Sequence, residues 1–129
     1  MQDTLSDMLV RIKNAQNMKH EEVLVVDSGL NRRVCDVLVQ EGYIHSYTKS
    51  KESEKPYLVL KLKYYLGQPV ISNIKRVSKS SRRVYQKAAK IPKIVDGFGV
   101  LVISTSKGVM SHLNAKKNNI GGEVLFWVN

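Results

Sequence analysis

The sequence predicts an α+β fold in two parts. Residues 1–66 make a first part with two helices and a short sheet. Residues 67–129 make a second, strand-rich part with one short helix. Three observations carry this. Apolar residues fall at helical spacing in the first forty residues. Alternating or continuous apolar runs dominate afterwards. Pattern and charge both change at Tyr64, Tyr65, Leu66, Gly67, Gln68 and Pro69, which marks the boundary. A chain of 129 residues suffices for one domain, or for two very small lobes sharing a core.

The first helix is predicted over residues 4–18, because Leu5, Met8, Leu9 and Ile12 follow the i, i+3, i+4, i+7 rule. Thr4 followed by Asp7 has the shape of a capping box. Residues 23–27 read as a short strand, and Ser28-Gly29 as a turn. A second helix fits 30–41, with Leu30, Val34, Val37, Leu38 and Glu41 on a mostly apolar stripe and Gly42 as its stop. Residues 43–48 and 57–64 form a hairpin. Its second strand puts Leu58, Leu60 and Leu62 on one face and Val59, Lys61 and Lys63 on the other. In the second part, Lys79, Arg82, Arg83 and Lys87 crowd around Tyr85. Ala88 to Gly97 reads as a loop with one helical turn, and Phe98 to Ile103 as a buried strand. Ser104 to Gly108 follows as a turn, Val109 to Lys117 as a short helix, and Glu123 to Val128 as a last strand after Gly121-Gly122. Phe126 and Trp127 are expected to pack.

Charge narrows the function. Lys and Arg number 21 against 11 Asp and Glu, a net of +10. Residues 1–67 hold 10 basic and 9 acidic side chains, whereas 68–129 hold 11 and 2. Nearly all of the excess lies in the second part. A polyanion is the partner this suggests: nucleic acid first, an anionic surface second. A basic surface kept for solubility is the plainer reading. Cys35 is the single cysteine, so no internal disulfide can form, which suits a reducing compartment. No apolar run is long enough to span a membrane, and no secretory signal pattern is expected.

Catalysis is not predicted, and neither is a metal or a cofactor. His20, His45 and His112 are far apart, and one Cys cannot make a zinc pair. No GxSxG and no phosphate-loop motif occurs. Ser106 and His112 could meet across a turn, but no orienting carboxylate is evident.

The turn is the stronger candidate. Ser104, Thr105 and Ser106 offer three hydroxyls, Lys107 a cation, and Gly108 a close backbone approach. Folded RNA is recognised by such groups, since its 2′-hydroxyl both donates and accepts. A helix directly after the turn would aim free amides at it. Gly121 and Gly122 would bring a second backbone segment near the ligand, and Glu123 could accept from a base amino group. On pattern alone the turn is equally a strand-to-helix connection with a hydroxyl cap. Tyr85, beside Arg83, could stack on a base or pack in a strand.

STSKGVMS (104–111) followed by GGEVL (121–125) resembles the signature of the eighth small-subunit ribosomal protein family, bacterial type. DMLVRIKNA, EGYI, LKYYLGQPVI, IKRVS, RRVY and GFGVLVISTSKG follow the same order, so the resemblance covers essentially the whole chain. It implies two small α/β lobes packed together, the second, 67–129, being the basic RNA-binding lobe. It implies a non-enzymatic constituent of the small ribosomal subunit that binds a helix in the central domain of small-subunit ribosomal RNA and promotes its assembly. Some members also repress translation of their own operon messenger RNA. Implied RNA contacts are Ser104, Thr105, Ser106, Lys107, Gly108, Gly121, Gly122, Glu123, Tyr85, Arg83 and, in a loop of variable length, Lys55. Implied partners include neighbouring small-subunit ribosomal proteins, with no membrane, and the free protein is expected to be a monomer. The expected location is the cytoplasmic ribosome, an organellar one being less favoured. A general basic nucleic-acid or anionic-surface binder outside the ribosome is the alternative. Two departures stand out: Ser80-Ser81 replaces the family's common Pro-Gly, and Ser111-His112-Leu113 its common Thr-Asp-Arg.

Overall fold

The computed structural model of the chain describes residues 3–50, 56–93 and 99–129. They form two compact units, Met1–Ser72 and Asn73–Asn129.

In the first unit, α1 (Thr4–Asn17) buries Leu5, Met8, Leu9 and Ile12 as its spacing predicts, with Ala15 and Gln16 completing the stripe. Its cap differs from expectation. Asp3, not Thr4, is the N-cap: its carboxylate accepts from the Ser6 amide at 3.0 Å and from the Ser6 hydroxyl at 2.9 Å. A carboxylate there also suits the positive end of the helix. Asp7 turns outward to Arg11, 2.8 Å away and exposed, a pair worth a few tenths of a kcal/mol at ~0.3–0.5. β1 (Glu22–Val26) and α2 (Gly29–Gln40) follow, the latter capped by Ser28, whose hydroxyl accepts from the Asn31 amide at 3.1 Å. Gly42, at φ +80, ends α2 where the predicted stop lies, with the Tyr43 amide returning to the Leu38 carbonyl.

β2 (Ile44–Lys49) and β3 (Tyr57–Leu62) pair antiparallel, and β1 adds on the other side of β3. Leu58, Leu60 and Leu62 face inward and are buried. The boundary stretch is itself a hairpin of β4 (Tyr64–Tyr65) and β5 (Gln68–Pro69). Leu66 and Gly67 both have positive φ, +51 and +78, as a primed two-residue turn requires. Gln16 holds this region from below: its amide side chain donates to the Lys63 carbonyl and accepts from the Ile71 amide.

The second unit contains β6 (Ile74–Arg76), β7 (Tyr85–Gln86), a 3₁₀ turn (Ala88–Lys93), β8 (Val100–Thr105), β9 (Gly108–Ser111), α3 (His112–Lys117) and β10 (Gly122–Val128). The sheet runs β6-β10-β8-β9, with β7 also paired to β10. Leu101, Ile103, Val124 and Ala115 form its core cluster, and Val77, Val84, Met110, Ile120 and Trp127 pack against it. Phe126 is fully buried. Phe98 lies outside the described residues.

The main correction falls between residues 104 and 117. Ser104 and Thr105 are still strand. The turn proper is Ser106-Lys107, and Gly108–Ser111 returns as a strand instead of opening a helix. Val109, Met110 and Leu113 imitate a helical stripe. However, Met110 sits opposite Ile103 and Val109 opposite Ser104, so the sheet edge claims them. Helix α3 starts only at His112, capped by the Ser111 hydroxyl on the Asn114 amide at 3.2 Å.

Candidate nucleic-acid interface

Strand order assembles the candidate residues. The first residues of β10 run between β7 and β8. Glu123 is paired with Tyr85 on one side and with Ser104 on the other, and Ser104 is paired with Val109. Directly opposed residues of antiparallel neighbours share a face, so Tyr85, Glu123, Ser104 and Val109 form one row across four strands. Two strand spacings separate Tyr85 from Ser104, about 10 Å. Three segments distant in sequence thus meet at one end of the sheet. Tyr85 is 65% exposed, so it is not a core tyrosine.

Beyond the row lies the hairpin tip. Ser106 and Lys107 are exposed, and neither has positive φ, so the turn is not of the primed kind. Gly108 absorbs the reversal instead at φ +118, with no atom within 4 Å of where a Cβ would stand. Thr105 is committed internally. Its hydroxyl donates to the Gly108 carbonyl at 2.7 Å and accepts from the Lys107 amide at 3.1 Å. It therefore fastens the tip and does not cap a helix. Because a strand intervenes, α3 does not aim its free amides at the turn, and that expected source of anion attraction is removed. The imagined Ser106–His112 pair is absent too. His112 is buried, its Nδ1 accepting from the Leu101 amide at 3.1 Å, and the length of β9 separates it from Ser106.

The two glycines have a reason inside the protein. A Cβ on Gly121 would stand 2.4 Å from the Gln86 carbonyl oxygen, and one on Gly122 would stand 2.2 Å from that of Ser104. They let β10 pass between two neighbouring backbones; a ligand is not needed to explain them. Glu123 likewise has partners within the chain. Its Oε2 accepts from the Ser78 hydroxyl at 2.5 Å and from Arg83 Nη1 at 2.8 Å. Burial works against its charge, yet the Ser78 and Arg83 hydrogen bonds and the nearby Arg83 and Arg76 cations hold its carboxyl below the usual value. Arg83 remains about half exposed.

Ser78 is a participant that spacing did not suggest. It is fully buried, and its hydroxyl also accepts from the Val84 amide at 3.2 Å. Its sign in the sequence is slight: a small polar residue between Val77 and Lys79, just past the end of β6. Beside Tyr85 a depression of about 600 Å³ is lined by Tyr85, Gln86, Lys87, Ala88, Asn119 and Gly121, among others. Lys55 lies outside the described residues. Among the described residues no three His, Cys, Asp or Glu cluster as metal ligands, and no helix is long and apolar enough to cross a membrane.

A mixed α+β chain with hydroxyls, an exposed tyrosine and cations gathered at one sheet end has the build of a small basic binding protein. Comparison with known families is specific: the chain matches the family described as Ribosomal protein S8 over residues 3–129 and belongs to it. It is 47% identical over 129 residues to the small ribosomal subunit protein uS8 of Coxiella burnetii (Dugway strain), covering 100% of this chain and 99% of that one. It is 51% identical over 126 residues to uS8 of Ruegeria pomeroyi, 97% of each chain. It is 48% identical over 128 residues to the protein named uS8c of Phaeodactylum tricornutum, 98% of this chain and 97% of that one. The family is one of ribosomal proteins and not of enzymes.

Proposed function

We propose that this protein is an RNA-binding constituent of the small ribosomal subunit, and that it reads a helix in the central domain of small-subunit ribosomal RNA with the end of its second sheet. One observation carries the reading: strand order places Tyr85, Ser104 and the exposed Ser106-Lys107 tip together, in a unit whose share of the charge is 11 basic against 2 acidic residues. The names of its relatives, small ribosomal subunit proteins, agree with it.

Binding has two layers. Exposed Lys79, Arg82, Lys87 and Lys107 supply a long-range attraction to phosphates. The Ser104 and Ser106 hydroxyls, backbone at Gly108 and the Tyr85 ring then read shape, by hydrogen bonds to 2′-hydroxyls and stacking. The face fixes the central domain early in subunit assembly. The same face would take a messenger-RNA hairpin of like shape, the route by which the protein would repress its own operon.

The test is a binding titration against a transcript of that domain and an unrelated transcript of equal length. With about five phosphates neutralised, log affinity falls against log salt with a slope near about −4. Preference for the first transcript should remain at each salt concentration. Equal affinity for both transcripts and for phosphatidylserine vesicles would assign the protein instead to general anionic-surface binding.

A further inference from the structure

We infer that Glu123 is a positioning residue of this face: by holding Ser78 and Arg83 at once, its carboxylate fixes the basic turn Lys79–Arg82 beside Tyr85 without touching RNA itself. The inference rests on the RNA reading proposed above.

The segment from Ser78 to Val84 is a closed loop. At its tip Lys79 and Arg82 exchange both backbone hydrogen bonds, at 2.9 and 3.0 Å, around Ser80-Ser81. At its neck the Val124 backbone bonds both limbs, accepting from the Ser78 amide and donating to the Val84 carbonyl, and one hydroxyl joins the two ends directly, since Ser78 Oγ accepts from the Val84 amide. That same hydroxyl donates to Glu123 Oε2, and Arg83, on the returning limb, donates to the same oxygen. The Arg76 guanidinium also donates to the Ser78 carbonyl. Glu123 is therefore the one group on β10 whose side chain grips both limbs of the loop. Its own backbone is paired with Tyr85 and Ser104, which fixes the loop's cations relative to the reading row. Ser80-Ser81 holds neither a proline to fix φ nor a glycine to favour one turn type, which leaves the stiffness of the turn to its neck.

Electrostatics sharpens the point. A carboxylate on a phosphate-binding face opposes the attraction of phosphates, so its presence there calls for another role. Direct base recognition through Oε2 is disfavoured, because that oxygen already accepts from two donors, and the side chain as a whole is only 16% exposed. Phosphate attraction alone thus predicts tighter RNA binding by Glu123→Gln, while positioning predicts weaker binding.

The experiment uses the full chain as wild type, E123Q, R83Q and the double variant. It measures affinity for the central-domain transcript, together with amide hydrogen exchange at Lys79–Val84 in the free protein. Positioning predicts that E123Q weakens binding about fivefold, that it adds nothing in the R83Q background, and that loop amides exchange faster by a similar factor. Glu123→Asp keeps the negative charge and the Ser78–Val84 bond but shortens the reach, and should reproduce both changes; if E123Q does not fold, E123D decides by the same criteria. Equal or tighter binding by E123Q overturns the inference, as does equal weakening in the R83Q background or unchanged exchange. Wild-type binding is judged first. If the wild type does not prefer this transcript, the RNA reading fails; if it does and E123Q binds as well, this inference alone fails.

Discussion

Replacing Gly122 by Ala separates a glycine needed by the fold from one needed by a ligand. The added Cβ would stand 2.2 Å from the Ser104 carbonyl oxygen, 2.9 Å from its carbonyl carbon and 3.1 Å from Thr105 Cα. All three are backbone atoms, so no side chain can swing away. To reach even 3.0 Å from that oxygen, β10 and β8 must part by about 0.8 Å. Overpacking of this kind costs about 1–3 kcal/mol, and a stretched ladder hydrogen bond about 1 more. Against this, Ala restricts the unfolded chain and returns about 0.4–1 kcal/mol. The clash wins, for a net loss of about 2–3 kcal/mol and a melting temperature lower by roughly 10 °C. Thermal and urea melts of the RNA-free protein measure it. Gly108→Ala is the steric control: it meets no atom within 4 Å, so any loss comes from the backbone strain of φ +118 alone, about 1–3 kcal/mol, with no parting of β8 from β10. If Gly122→Ala melts within about 2 °C of wild type while RNA binding collapses, the glycine serves the ligand and the packing account is wrong.

Thr105→Ala and Ser106→Ala should part company. The Thr105 hydroxyl makes two hydrogen bonds that fasten the tip, so its loss costs about 1–2 kcal/mol of stability and also weakens RNA binding, whereas Ser106→Ala leaves the melt unchanged and weakens binding alone. The lowered pKa of Glu123 gives a signed pH effect: its contribution is full above its ordinary value of 4.5 and fades as pH drops through the lower value it has in the fold. Urea melts below pH 4.5 should therefore lose less stability in E123Q than in wild type, and parallel acid limbs would contradict the ion pair. Burial, with Asp36 adding to it, pushes the Cys35 thiol up to about 12, so iodoacetamide at pH 8 should label it only after unfolding.

The first two helices and the first sheet are legible because burial and periodicity coincide there. Leu5, Met8, Leu9 and Ile12 have one face to bury, and Leu58, Leu60 and Leu62 alternate without ambiguity. Caps were less legible, since Asp3-Ser6 and Thr4-Asp7 offer equivalent side chains one residue apart. Residues 109–111 carry a helical reading, and Gly108 a turn, because a four-residue edge strand is too short to display its period and its pairing to β8 joins residues that no local pattern links. At the candidate site, the residue types were visible but their company was not. That Tyr85, Glu123 and Ser104 are neighbours follows only from strand order. That Gly121 and Gly122 make room for backbone, and that Glu123 serves Ser78 and Arg83, depends on distances no spacing rule contains.

On the proposed reading, one end of the second sheet meets one RNA helix. Ultraviolet crosslinking of the protein in lysate, with peptide and nucleotide mapping, tests it most directly. Crosslinks from Tyr85 and Ser104–Lys107 should converge on a single helix in the central domain of small-subunit ribosomal RNA. Crosslinks spread over many RNAs, or arising from Met1–Ser72 while Tyr85 and the tip stay silent, would contradict it.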